Sequence, residues 1–257
     1  MSRPAVPVAR ELRAPAAWRT VDLISDLHLQ AAEPATFDAW RAFMARGGRD
    51  AMFILGDLFE VWVGDDLAAQ PGFAAECASV IADAARRAPV FVMHGNRDFL
   101  VGGAFVASLG ATLLPDPTVL DFAGTRWLLT HGDALCLDDV DYQRFRAQVR
   151  APGWQAAFLA KPLSEREAIG RQLREQSEAR KREVETYADV DTAEALRWLD
   201  AAQATTMIHG HTHKPADHAL DATHRRIVLS DWDLATTPPR AQALRLDAQG
   251  AHRIALA

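Results

Sequence analysis

The chain has 257 residues, 28 Lys and Arg against 34 Asp and Glu, a formal charge of −6, and 49% apolar and 24% charged residues. This is globular composition. It excludes long disorder, collagen and a coiled-coil rod, and the length suits one large domain or one domain with a sizeable insertion. A mildly acidic chain is a poor general binder of nucleic acid, and no such partner is expected. Two cysteines, Cys77 and Cys136, make no disulfide framework and fit buried thiols in a reducing compartment. No apolar run approaches the roughly 18 residues of a transmembrane helix. The first nineteen residues, broken by Pro4, Pro7 and Pro15, lack the apolar run of a secretory signal. Residues 1–19 are therefore expected to be a loose N-terminal extension of a cytoplasmic protein, with the main domain spanning 20–257.

Short apolar runs recur along the chain, and each ends in polar residues. Residues 21–25 lead into Asp26 and His28, and 51–55 lead into Gly56 and Asp57. Residues 90–93 lead into Gly95, Asn96, Arg97 and Asp98, and 127–130 lead into His131, Gly132 and Asp133. Residues 206–208 lead into Gly210, His211, Thr212 and His213. Runs this short, with β-branched and aromatic content, predict buried strands. Between them Phe37, Trp40 and Met44 follow helical spacing after Thr36, a predicted N-cap. Phe73, Cys77, Val80, Ile81 and Ala84 do the same after Pro71 and Gly72. Asp191 followed by Glu194 reads as a capping-box variant, with the Glu194 side chain reaching back to the Asp191 amide, and opens a further helix with Leu196 and Leu199. Strand–helix alternation predicts an α/β architecture. The tail is predicted as strands, at 226–229 and in two arms around the turn at 247–250.

Residues 138–190 hold no convincing strand. Between Arg144 and Arg174 seven basic residues face two acidic ones, a local +5 in an acidic chain, interleaved with Phe145, Trp154 and Phe158. Pro152 and Pro162 break the stretch into short predicted helices. It is expected to be an inserted helical cap.

Every predicted strand end delivers a metal-type ligand. Strand C-termini in an α/β sheet converge on one crevice. Asp26, His28, Asp57, Asn96, His131, His211 and His213 are too many for one four-coordinate zinc and suit two ions with a carboxylate between them. Carboxylate, amide and imidazole ligands without a thiolate favour Mn²⁺, Fe²⁺ or Zn²⁺. His94 and His209, also before glycines, are read as supporting or core residues.

The order Asp-x-His, Gly-Asp, Gly-Asn, His-Gly-Asp, Gly-His-x-His, complete from residue 20 to about 215, resembles the calcineurin-like metallophosphoesterases. The resemblance implies an α/β fold, a two-sheet sandwich flanked by helices (α/β/β/α) with the inserted cap. It implies that Asp26, His28 and His213 hold one ion and Asn96, His131 and His211 the other, with Asp57 bridging. Arg97 stands where many members carry a His able to protonate an alkoxide. Arginine stays charged, whereas a phosphate leaving group, with a second pKa of about 6, needs little protonation. The Asn-Arg pair therefore points to a pyrophosphate bond rather than a simple ester. The longer blocks, such as Gly56-Asp57-Leu58-Phe59-Glu60-Val61-Trp62 and His131-Gly132-Asp133-Ala134-Leu135-Cys136, are similar to the UDP-diacyl-sugar pyrophosphohydrolases of lipid A synthesis.

That likeness implies two Mn²⁺ ions, and water attack on the α-phosphate to give UMP and a diacylglucosamine 1-phosphate. It implies phosphate contacts from Arg97 and Asn96. Sugar-phosphate contacts would come from Asp139, Ser177, His211 and a cation among Arg180, Lys181 and Arg182, with Lys181 preferred. Asp98 and Asp133 are expected to orient imidazoles or Arg97, or equally to cap turns. A basic, aromatic cap would serve a lipid substrate and an anionic membrane surface. The expectation is thus a monomer peripheral on the inner face of the inner membrane. A nucleotide or dinucleoside-polyphosphate hydrolase of the same superfamily is the alternative.

Overall fold

The computed structural model describes residues 4–183 and 189–256, with side chains described in 4–175 and 189–256. Strands β1 (Arg10–Arg13), β6 (Thr118–Phe122), β7 (Thr125–Leu129), β8 (Thr206–His209), β10 (Arg225–Val228) and β9 (Asp217–Ala219) form one six-stranded sheet, in that spatial order. The second sheet runs β12 (Gly250–Ala255), β11 (Gln242–Asp247), β2 (Val21–Ile24), β3 (Ala51–Leu55), β4 (Val90–Met93) and β5 (Thr112–Leu114). Strands β2 to β5 are parallel, with Leu23 beside Phe53 and Phe53 beside Phe91; β7, β8 and β10 are parallel in the other sheet. All strands that carry candidate ligands therefore end at one edge of the molecule.

Alternation along the strands builds the layers. Val21, Leu23, Phe53, Leu55, Phe91 and Met93 face Leu120, Phe122, Leu129, Ile208 and Ile227 across the sandwich. The opposite face of β2–β4, with Ile24, Ile54 and Val92, packs on α1 (Pro34–Ala45), α2 (Phe73–Ala85) and α3 (Gly103–Ser108) through Trp40, Phe43, Met44, Ile81 and Val106. Val119, Leu128 and Met207 face outward from the other sheet and are covered by Trp198 and Leu199 of α7 (Thr192–Ala202). The α/β/β/α order follows from strands apolar on both faces, which must be covered on both.

Some expectations change. Arg10–Arg13 pairs in parallel with Thr118–Asp121, so this part of the N-terminal stretch is an edge strand rather than a loose extension. Helix α1 begins at Pro34 with Glu33 before it, and Thr36 is buried within its first turn rather than capping it. Proline suits that first position, where the amide has no intrahelical partner. Asp191 does cap α7, accepting from the Glu194 amide at 2.7 Å, but the Glu194 carboxylate turns to Arg197 and to Trp198 Nε1 instead of reaching back. Residues 138–190 carry α4 (Val140–Val149), α5 (Pro152–Leu159) and α6 (Leu163–Glu183). Among the described residues no helix is long and apolar enough to cross a membrane.

Candidate metal centre

Each candidate ligand sits immediately beyond a strand, on backbone that turns sharply. Asp26, His28, Asp57, His211 and His213 all have positive φ, between 49° and 67°. Left-handed backbone is uncommon outside glycine and costs free energy, so five ligands sharing it mark a place where the surrounding loops impose strain. The loops are tied together directly. The amides of Leu27 and His28 donate to the Asp57 carbonyl at 2.9 and 3.0 Å, and the Gly210 amide donates to the His131 carbonyl at 3.0 Å. Two glycines are set by close approach. A Cβ on Gly95 would lie 2.0 Å from Asp57 Oδ1, and one on Gly210 would lie 2.1 Å from Asp26 Oδ2. The glycines before Asn96 and His211 thus let one strand end reach another's carboxylate.

The seven side chains meet. His28 Nε2 and His213 Nε2 are 3.1 Å apart, and His213 Nε2 is 3.5 Å from Asp26 Oδ1. Asp57 reaches both sides: Oδ2 is 3.9 Å from His28 Nε2, and Oδ1 is 3.7 Å from His131 Nε2. Asn96 Oδ1 lies 3.0 Å from His131 Nε2 and 2.7 Å from His211 Nδ1. Ligand atoms of Asp26, His28 and His213 fall within 4.8 Å of one another, as do those of Asp26, Asp57 and His131.

The donor chemistry fits a cation. His131 Nδ1 is 2.9 Å from the Leu55 carbonyl, so it donates there and leaves Nε2 as a lone pair. That lone pair faces the Asp57 carboxylate and the Asn96 carbonyl, which are also acceptors. His28 Nδ1 is 2.8 Å from Glu60 Oε2, an ion-pair contact that favours the proton on Nδ1 and leaves Nε2 toward His213 and Asp57. Acceptors facing acceptors in a buried place repel unless a proton or a metal ion lies between them. The electrostatics agree. Burial disfavours a charged His131, yet the carboxylates of Asp57 and Asp26 outweigh it and raise its pKa to about 9. Burial also opposes ionisation of Asp26, yet its bond to His213 and the charges of nearby imidazoles hold it well below the usual carboxylate range. The cluster attracts positive charge, and divalent ions suit oxygen and imidazole donors without thiolate. Cys136 lies outside it, a buried thiol pushed up to about 12 by burial.

Arg97 is anchored beside the cluster. Its amide donates to Asp57 Oδ1 at 2.8 Å and its Nη1 is 3.7 Å from Glu60 Oε1, while its Nε is buried with no hydrogen-bond partner among the described residues. Of the two roles expected for Asp98 and Asp133, the backbone-bonding one is seen for Asp98. Asp98 accepts from the amides of Gly95 and Leu58, at 2.7 and 2.8 Å, and so closes the turn at 95–98 and ties it to the loop after Asp57. Asp133, fully buried, accepts from Tyr142 Oη at 2.5 Å and Arg146 Nε at 2.7 Å, fastening α4 to the sheet. Asp139 is exposed and caps α4, accepting from the Tyr142 amide at 3.0 Å. The side chains of Ser177, Arg180, Lys181 and Arg182 lie outside the described residues. His94 bonds the Val101 carbonyl, and His209 bonds its neighbour's carbonyl and Arg226, so neither faces the cluster as a ligand.

The cap's cations turn largely inward. Arg146 meets Asp133, Arg150 donates to the Gly95 carbonyl, Arg166 meets Asp66 and the Val63 carbonyl, and Arg174 meets Glu60 and Gln30. Glu60, Tyr142 and Arg174 were not picked out as functional from the sequence; Glu60 stood inside the quoted Gly-Asp block with no role attached. A cavity of about 520 Å³ beside Trp127, Thr206 and Arg225 opens at the first residues of β7, β8 and β10. His131 and His211 follow the last residues of β7 and β8, so that cavity is at the opposite end from the candidate metal centre.

The fold, the strained strand-end loops and the seven converging candidate ligands fit the centre of a metallophosphoesterase. Residues 19–215 match the calcineurin-like phosphoesterase family, and the chain belongs to that family. It is a hydrolase by the company it keeps. A relative from Xanthomonas oryzae pv. oryzae (strain PXO99A), named UDP-2,3-diacylglucosamine hydrolase, is 46% identical over 90% of this chain and 96% of its own. One of the same name from Chromobacterium violaceum is 50% identical over 82% of this chain and 90% of its own. A solved structure of a novel archaeal phosphodiesterase is 11% identical, covers 92% of this chain and 99% of its own, and aligns with a TM-score of 0.47.

Proposed function

We propose that the protein hydrolyses the pyrophosphate bond of UDP-2,3-diacylglucosamine with the aid of two divalent ions, Mn²⁺ by family likeness. Water attacks the α-phosphorus. The bond from that phosphorus to the bridging oxygen breaks, the water oxygen stays on UMP, and the bridging oxygen leaves with 2,3-diacylglucosamine 1-phosphate. In this reading Asp26, His28 and His213 hold one ion and Asn96, His131 and His211 the other. Asp57 would lie between them, in keeping with its two oxygens being 3.9 and 3.7 Å from imidazoles on opposite sides. Such ions supply Lewis-acid activation of water and neutralise charge on phosphorus.

The chain's own residues do the rest. Asp57 and Asp26 would hold the ions from strained, mutually bonded loops. Arg97 carries the reading to a diphosphate: its side chain is 11% exposed, its amide is held by Asp57, and its guanidinium has a buried Nε without a partner among the described residues. A planar donor of this kind pairs with a phosphate oxygen and neutralises the leaving group. Asp139, Ser177, His211 and Lys181 contact the sugar-phosphate end in this reading. The acyl chains bring a monomeric enzyme to the inner face of the inner membrane. Because most described cap cations are already paired, attachment there is weak and reversible.

The test is release of UMP from UDP-2,3-diacylglucosamine by the purified protein, with Mn²⁺ and with EDTA, beside a dinucleoside polyphosphate. Chelator-sensitive turnover of the lipid substrate is expected. Turnover of the polyphosphate alone would replace this reading with the nucleotide hydrolase.

A further inference from the structure

Glu60 is 7% exposed and lies three residues beyond Asp57, with its amide bonded to the Leu29 carbonyl at 3.2 Å. Its two oxygens face different parts of the molecule. Oε2 lies 2.8 Å from His28 Nδ1. Oε1 lies 2.9 Å from Arg174 Nε on α6 and 3.7 Å from Arg97 Nη1. Arg174 is held a second time, donating from Nη1 to Gln30 Oε1 at 3.0 Å. A buried carboxylate is retained only where its partners satisfy it, and here they come from the metal centre on one side and the cap on the other.

We infer that Glu60 is a positioning residue with two tasks. One oxygen locks His28 in the tautomer that presents Nε2 to the metal centre, and the other fastens cap helix α6 over that centre. Metal retention and cap closure then share one carboxylate. The geometry has a direct reason: His28 turned away cannot serve as a ligand, and a carboxylate 2.8 Å from Nδ1 holds the ring and favours the neutral tautomer with its proton on that nitrogen. The same carboxylate offers Arg174 a charge-assisted bond that a neutral acceptor matches less well.

The inference rests on the proposed metal centre but not on the substrate, so its test uses none. Mn²⁺ affinity is measured on the full chain by competition with a chelating indicator. Cap docking is read as hydrogen exchange of the backbone amides of residues 163–175. Glu60→Ala is expected to weaken Mn²⁺ binding roughly 10–100-fold and to speed α6 exchange. Glu60→Gln, whose amide oxygen still accepts from His28, recovers most of the affinity but keeps the faster exchange. Arg174→Gln speeds exchange and leaves Mn²⁺ affinity as in the wild type. Wild-type Mn²⁺ binding in Glu60→Ala, or a loss in Glu60→Gln equal to that in Glu60→Ala, overturns the tautomer lock. Wild-type α6 exchange in Glu60→Gln overturns the fastening, and this arm serves even where Glu60→Ala fails to fold. Absence of Mn²⁺ binding in the wild type overturns the metal centre itself and is thereby told apart.

Discussion

Removing the Asp133 carboxylate should loosen α4 and lower stability by a measurable amount. Asp133 is fully buried and meets Tyr142 Oη at 2.5 Å, Arg146 Nε at 2.7 Å and Arg150 Nη2 at 3.7 Å. Burial opposes its ionisation, yet Arg146, His131 and Arg150 hold it well below the usual carboxylate range. Asp133→Ala leaves a hydroxyl and two guanidinium groups without that acceptor. Breaking a buried pair costs about 3–5 kcal/mol. Arg146 keeps 24% exposure, so water recovers part of its charge and the lower end, about 3 kcal/mol, applies. For a chain of this size each kcal/mol moves Tm by about 2–4 °C, giving a fall of about 6–12 °C. Thermal unfolding followed by circular dichroism reads the shift. Arg146→Ala and the double variant complete a cycle whose combined loss should fall short of the sum of the single losses. A Tm within about 2 °C of wild type would refute the view that this carboxylate anchors the cap.

Other outcomes follow from the same geometry. Asp57→Ala and His131→Ala should abolish turnover while the protein remains folded by circular dichroism, and restored activity at high Mn²⁺ in both would count against their roles. Arg97→Ala should lower kcat on the diphosphate substrate about 100-fold or more, as loss of a charge-stabilising donor does; an unchanged kcat removes Arg97 from the chemistry. Hydrolysis in ¹⁸O-water should place the label in UMP, whereas label in the sugar phosphate would move the attack to the β-phosphorus. Asp189 supplies a pH test remote from the metal centre. Burial opposes its ionisation, but bonds from Arg226, both at 2.8 Å, and from the Val190 amide lower its pKa from 3.8 to about 2. Its folded pKa is below its unfolded one, so its contribution is present above about pH 4 and lost as pH falls toward 2. Denaturant unfolding of Asp189→Asn should therefore differ from wild type at pH 6 and converge on it near pH 2; a constant difference would sink the assignment.

The cluster of candidate ligands was legible because strand ends show as apolar runs that stop, and each stop is followed by a side chain able to hold a metal ion. The strands bearing Asp26, Asp57, Asn96, His131 and His211 are buried on both faces, and their sequences leave little choice of conformation. Strand β6 was not picked out: Thr118 to Phe122 carries an aspartate and is held by its neighbours β1 and β7 rather than by its own pattern. The edge strand Arg10–Arg13 is polar and gains its form from pairing alone. The positive φ values of the ligands depend on bonds between loops 30 to 185 residues apart, and no local pattern carries that. The tasks of Asp98, Asp133 and Glu60 were hidden for the same reason, since a carboxylate's residue type does not say which distant amide or guanidinium it will meet. The +5 charge of the cap was visible, but its direction depended on Glu60, Asp66 and Asp133, all outside that stretch.

Diffraction at the manganese absorption edge from crystals grown with Mn²⁺ tests the centre most directly. The account predicts two anomalous peaks about 3.5–4 Å apart, one on either side of the Asp57 carboxylate. A single peak there, or manganese bound only elsewhere, would contradict it.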